Sequence, residues 1–175
     1  MPKKANTIQA QIQLLQNGTD EKLMIGLSNL RKQGTPELMP FLLKRWNESS
    51  NDELTQKIFD FITDIKPQEA IGDIMIALNN IEYVDKKSLL VSMLWQSSLD
   101  ASEYIDDLIA IALKGDFMTV LEVSTVIESF DTVFNEQDMM ESIYQIDKRL
   151  EIETNEELRN ILNSLKGVIS KLPVE

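Results

Sequence analysis

The chain has no cysteine and no histidine among its 175 residues. Those two absences exclude disulfides, thiolate nucleophiles, Ser-His-Asp triads, Cys-His pairs and every zinc site built on sulfur or imidazole. Any chemistry is left to carboxylate, lysine, tyrosine or serine groups. Glycine and proline are also scarce, at 6 and 5, too few for a fold of short strands and tight turns, so helices are favoured. No long run of lysine and arginine offsets a net charge of −12, which disfavours both nucleic acid and an anionic membrane surface as partners. The longest wholly apolar run, Leu108 to Leu113, falls far short of the roughly 20 residues that cross a bilayer. The opening MPKKANTIQAQIQ carries two lysines with no apolar stretch behind them, unlike a secretory signal. A soluble cytoplasmic protein is expected. Phosphate- and calcium-binding motifs are missing too. There is no G-x-x-x-x-G-K-[ST] and no G-x-G-x-x-G, and Asp100-Ala-Ser-Glu-Tyr-Ile lacks the glycine that an EF-hand loop needs at its sixth position.

What is present is apolar residues at helical spacing. Hydrophobic residues make up 43% and charged residues 26%, a balance that supports a packed core rather than disorder. A single all-helical domain over residues 1–175 is expected. Its centre is Lys87 to Phe130, where Leu89, Leu90, Val91, Met93, Leu94 and Trp95 leave almost no polar face, so the helix there needs covering on more than one side.

Start and stop signals divide the rest. Residues 5–18 predict an N-terminal capping helix ended by Asn17-Gly18 in the left-handed manner. Thr19-Asp20 opens a helix that Gly34 stops, and Thr35-Pro36 supplies an N-cap and a first-turn proline for a third, with a local distortion at Pro40. Ser50-x-x-Glu53, Asp100-x-x-Glu103 and Thr154-x-x-Glu157 read as capping boxes. Lys66-Pro67 restarts the chain, and Gly115-Asp116 ends one helix and begins another. Residues 154–172 give the cleanest amphipathic stripe, through Leu158, Ile161, Leu162, Leu165, Val168, Ile169 and Leu172, and form a C-terminal capping helix. If that stripe exceeds what its own repeat covers, it docks on a second copy.

An internal repeat runs through this series. Glu37-Leu-Met-Pro-Phe-Leu-Leu, Glu69-Ala-Ile-Gly-Asp-Ile-Met and Glu103-Tyr-Ile-Asp-Asp-Leu-Ile are offset by 69 − 37 = 32 and 103 − 69 = 34, and Asp138-Met-Met-Glu-Ser-Ile-Tyr follows 35 further on. Periods of this size, spent on two helices each, point to a stacked helical solenoid. A general helical bundle is the competing reading.

The paired helices, the openings Thr35-Pro36-Glu37 and Lys66-Pro67-Gln68-Glu69, and the run from Leu90 to Ile127 resemble HEAT-like repeat proteins of the armadillo-type superhelix. The resemblance covers about Thr19 to Leu150, so residues 19–150 are expected to form HEAT-like helix pairs. It implies an all-α, right-handed α-α superhelix of about four helix pairs plus terminal capping helices. It also implies a curved surface, lined by the second helix of each pair, that binds proteins or peptides.

Stacking those second helices places Asp73, Asp106, Asp107 and Glu141 in one ridge, either an acidic groove for a basic partner or an ordinary solvated face. Trp46, beside Lys44 and Arg45 near a helix end, is the candidate for an exposed contact, whereas Trp95 reads as core. The expectation is therefore a non-enzymatic scaffold with a protein or peptide partner, basic if the ridge faces it. No cofactor, metal, nucleic acid or membrane is expected, and the chain is read as a monomer or weak homodimer. The alternative is a carboxylate-based, Mg²⁺- or Ca²⁺-dependent enzyme or enzyme-associated subunit.

Overall fold

The computed structural model describes residues 2–30, 36–64, 68–97 and 99–175. Ten α-helices are present among the described residues: α1 (Pro2–Asn17), α2 (Asp20–Leu30), α3 (Met39–Glu48), α4 (Asp52–Thr63), α5 (Ala70–Asn79), α6 (Lys87–Ser97), α7 (Ile105–Lys114), α8 (Phe117–Glu128), α9 (Glu136–Ile152) and α10 (Glu156–Ile169). Short 3₁₀ turns at Pro36–Leu38, Ile81–Lys86 and Ser102–Tyr104 lead into α3, α6 and α7. The all-α class is as expected. The one β feature is an isolated parallel bridge between Phe134 and Val174.

Polar caps set where several helices begin, and asparagine does most of this. Asn51 accepts from the Leu54 amide at 3.2 Å, and Asn155 accepts from that of Leu158 at 3.0 Å. The cap in each case stands one residue after the Ser50 and Thr154 expected for it, because Asn is at least as good an acceptor for the orphan amides of the first turn. Asp116 and Asn135 cap α8 and α9 in the same way. Asp100 instead accepts from Ser102 at 3.0 Å, and a 3₁₀ turn separates it from α7. Pro40 sits in the first turn of α3, where its missing amide proton costs little.

Gly18 ends α1 without adopting a left-handed backbone, contrary to expectation. Its amide donates to the Leu14 carbonyl at 2.8 Å, and a Cβ at this position would collide with that carbonyl oxygen. Close approach, not positive φ, is what requires glycine. Gly34, Thr35 and the Lys66-Pro67 restart lie outside the described residues.

The chain forms two compact units, residues 1–84 with 96–99 and residues 85–95 with 100–175. In the first, α1 packs on α2 and α3, α2 on α4, and α3 on α4 and α5. Met39, Leu42, Leu43 and Trp46, spaced i, i+3, i+4, i+7, form the buried face of α3. Arg45 leaves the flank of that face, half-buried, and its Nη2 donates to Asp20 Oδ1 at 2.6 Å and to the Gly18 carbonyl at 3.3 Å. Asp20 Oδ2 accepts from the Asn51 side chain at 3.2 Å, so one carboxylate links the start of α2, the middle of α3 and the cap of α4.

In the second unit α7 packs on α8 and α9, α8 on α10, and α9 on α10. Five consecutive residues of α6, Leu90 to Leu94, are buried, so its middle is covered, while Leu89 and Trp95 on either side of them are exposed. The long stripe of α10 is taken up against α8 and α9, with Leu162, Leu165 and Ile169 fully covered. Lys166 Nζ meets both oxygens of Asp147 at 2.6 and 2.7 Å, fixing α10 to α9.

The two tryptophans exchange the roles expected of them. Trp46 is 1% exposed and lies 6.5 Å from the Phe59 ring, whereas Trp95 is 41% exposed and donates its indole N–H to Glu122 Oε2 at 2.7 Å. Trp46 follows two cations in sequence, but helical rotation turns it onto the apolar face of α3. Trp46 is therefore no surface contact. Replacing it with alanine is expected to cost about 3–5 kcal/mol, the usual range for emptying a buried aromatic site, and Trp95→Ala well under half of that; denaturant unfolding of the two variants measures the difference.

Candidate functional site

Helices α7 and α9 lie side by side and parallel, with a groove of about 360 Å³ between them. Asp106, Ile109, Ala110 and Leu113 line it from α7, and Asp138, Glu141, Ser142 and Gln145 from α9. Each set has the spacing i, i+3, i+4, i+7 of a single helical face. Asp106 and Asp138 lie in the first turns of their helices, so the groove is acidic at its N-terminal end, where helix dipoles favour carboxylates. Glu141 adds a third carboxylate and accepts from Gln145 Nε2 at 2.5 Å. Ile109, Ala110 and Leu113 give α7 an apolar wall.

Past the groove, an ion-paired arginine ties the two helices together. Arg149 Nε donates to the Leu113 carbonyl at 3.2 Å, joining the last turn of α9 to that of α7. Arg149 is itself held by Glu153, whose oxygens lie 2.5 Å from Nη2 and 2.8 Å from the Asn155 amide. Arg159 Nη1 caps the same turn by donating to the Leu150 and Glu153 carbonyls at 2.6 and 2.9 Å. The Asn155 amide hydrogen bond, then the charge of Arg149, lowers the pKa of Glu153 below the ordinary carboxylate value.

Of the acids expected in one ridge, the structure brings Asp106 and Glu141 to this groove. Asp107 is exposed on the next face of α7, because adjacent helical residues point about 100° apart. Asp73 belongs to α5 of the other unit, where partial burial raises its pKa. Lys44 is exposed on α3, 3.7 Å from Glu48, and with Phe41 and Arg45 lines a separate groove beside the end of α1. Asp138, Ser142, Gln145 and the apolar wall were not singled out in the sequence. The repeat read from the sequence sets α9 35 residues after α7 and pairs Asp106 with Glu141, whereas in the groove each residue of α9 follows one of α7 by 32 (138 − 106 = 32), so that alignment missed them.

Met140 and Tyr144, one turn apart on α9 and flanking Glu141, are 63% and 53% exposed, which extends apolar surface past the groove's rim. Among the described residues no group of three or more carboxylates is placed to hold a metal ion, and no helix is long and apolar enough to cross a membrane. Comparison with protein families, with curated proteins and with solved structures returns no match.

Because Glu153 has a lowered pKa in the folded state, the stability it supplies is present above the ordinary value of 4.5 and is lost as pH falls through the folded value. Glu153→Gln should thus lower the melting temperature at pH 7, with the gap to the parent protein closing as both are acidified below about pH 4. Melting curves across that range, followed by circular dichroism, check this.

Proposed function

We propose that the chain is a non-enzymatic scaffold whose helix hairpins stack in the manner of a HEAT-like, right-handed superhelix and whose α7–α9 face binds a basic stretch of a protein partner. Stacking is supported by the contacts inside each unit, where helices meet their sequence neighbours and their next-but-one neighbours. In a solenoid each pair covers its apolar face against the next pair in this way.

The observation that carries the binding role is the α7–α9 groove itself, an apolar wall under a rim of three carboxylates. Such a surface rewards a partner that brings both apolar and cationic groups, and its charge speeds encounter and selects partners more than it deepens affinity. The net charge of −12 adds a long-range field of the same sign. Glu122 holding Trp95, Lys44 with Glu48, and Asp106-Asp107 at a helix start all have structural explanations that need no chemistry.

Affinity capture with the whole folded chain, followed by titration of the captured partner against a variant carrying Asp106→Asn, Asp138→Asn and Glu141→Gln, tests this. Three exposed charges at about 0.2–1 kcal/mol each amount to roughly a tenfold loss of affinity at low salt, shrinking as ionic strength rises toward about 1 M. Equal affinity of parent and variant at low salt would remove the α7–α9 face from the function.

A further inference from the structure

Helix α8 packs on α7 and α10 and leaves its outer face open. Phe117, Met118 and Leu121 stand on that face. Trp95 of α6 joins them, because its indole N–H is held at 2.7 Å by Glu122, the residue after Leu121. These four apolar side chains are each 36–47% exposed. A lone exposed apolar residue is ordinary, whereas a contiguous group with an aromatic anchor marks a contact surface.

Size and charge decide what covers it. With about 40% of each side chain open, the four offer roughly 300–400 Å², under half of the about 800 Å² that each partner brings to a stable dimer. A short segment fits that area. Glu122 lies within the face and exposed Glu128 two turns beyond Leu121 on the same side, while α8 and the last two turns of α6 carry no lysine or arginine. Two copies meeting here would oppose carboxylate to carboxylate on chains that each carry a net charge of −12. An anionic bilayer is repelled for the same reason. A cation is attracted instead, both by Glu122 and by the face of the Trp95 ring. The Glu122 hydrogen bond already fixes that ring, so little rotamer freedom is lost when a partner covers it.

We infer that this face docks a short polypeptide segment, with an arginine or lysine laid over Trp95 beside Glu122 and an apolar side chain against Met118 and Leu121. It shares no residue with the α7–α9 groove and does not depend on the role proposed for that groove.

A library of random dodecapeptides selected against the whole folded chain tests this. The enriched sequences should join a cation to apolar residues. Binding one of them to ¹⁵N-labelled chain should shift the indole signal of Trp95 and leave that of Trp46 in place. Trp95→Ala should weaken the peptide at least about tenfold. Met118→Lys, a change confined to the open face, should do the same with an unaltered melting temperature. Glu122→Gln keeps an acceptor for the indole but removes the charge, and should cost about two- to fivefold at low salt and less at high salt. Enriched peptides without cations, no enrichment at all, or full binding by Met118→Lys would overturn the inference. Binding lost in the Asp106→Asn, Asp138→Asn, Glu141→Gln variant but kept in Trp95→Ala would overturn it too and place the peptide in the α7–α9 groove. A dimer in sedimentation that Met118→Lys dissolves, or binding to zwitterionic vesicles that Trp95→Ala abolishes, would assign the face to a second copy or a bilayer instead.

Discussion

Helices of 10 to 17 residues are marginal by themselves in water, and every helix between α2 and α10 falls in that range. Their stability has to come from covering apolar faces against one another. That constraint accounts for most of the structure. It explains why α3 buries a strict i, i+3, i+4, i+7 stripe, why α6 is closed in over five successive residues, and why α10 spends its long stripe on α8 and α9. It also leaves the charges outside, where cross-helix pairs such as Lys166 with Asp147 fix register at the margins of the core.

The groove between α7 and α9 follows from the same packing. Two parallel helices whose contacting faces carry alanine and serine at matching positions, Ala110 and Ser142, leave a channel between their larger flanking residues. The acids at its mouth are there first because helix N-termini favour them. Arg149, anchored by Glu153, ties the last turn of α9 to the Leu113 carbonyl at the end of α7.

Much of this was legible in the sequence. The all-helical class and most of the places where the described chain turns came from apolar spacing and caps. Errors arose where two local signals competed. At Ser50-Asn51 and Thr154-Asn155 the S/T-x-x-E box pointed one residue too early, because an asparagine followed each candidate cap. At Trp46 the neighbouring cations suggested exposure, although Met39, Leu42 and Leu43 already defined the face it joins. At Trp95 a helix apolar nearly all round carried no periodicity from which to tell its open side. The groove was half visible: Asp106 and Glu141 were named, but Asp138, Ser142 and Gln145 join them only once the register of α9 against α7 is known.

The placement of the two tryptophans has a practical consequence. One belongs to each compact unit, Trp46 sealed from solvent in the first and Trp95 open to it in the second. Their emission should therefore differ in colour and in access to a soluble quencher, and single-tryptophan versions of the chain would follow the unfolding of each half separately without any added dye.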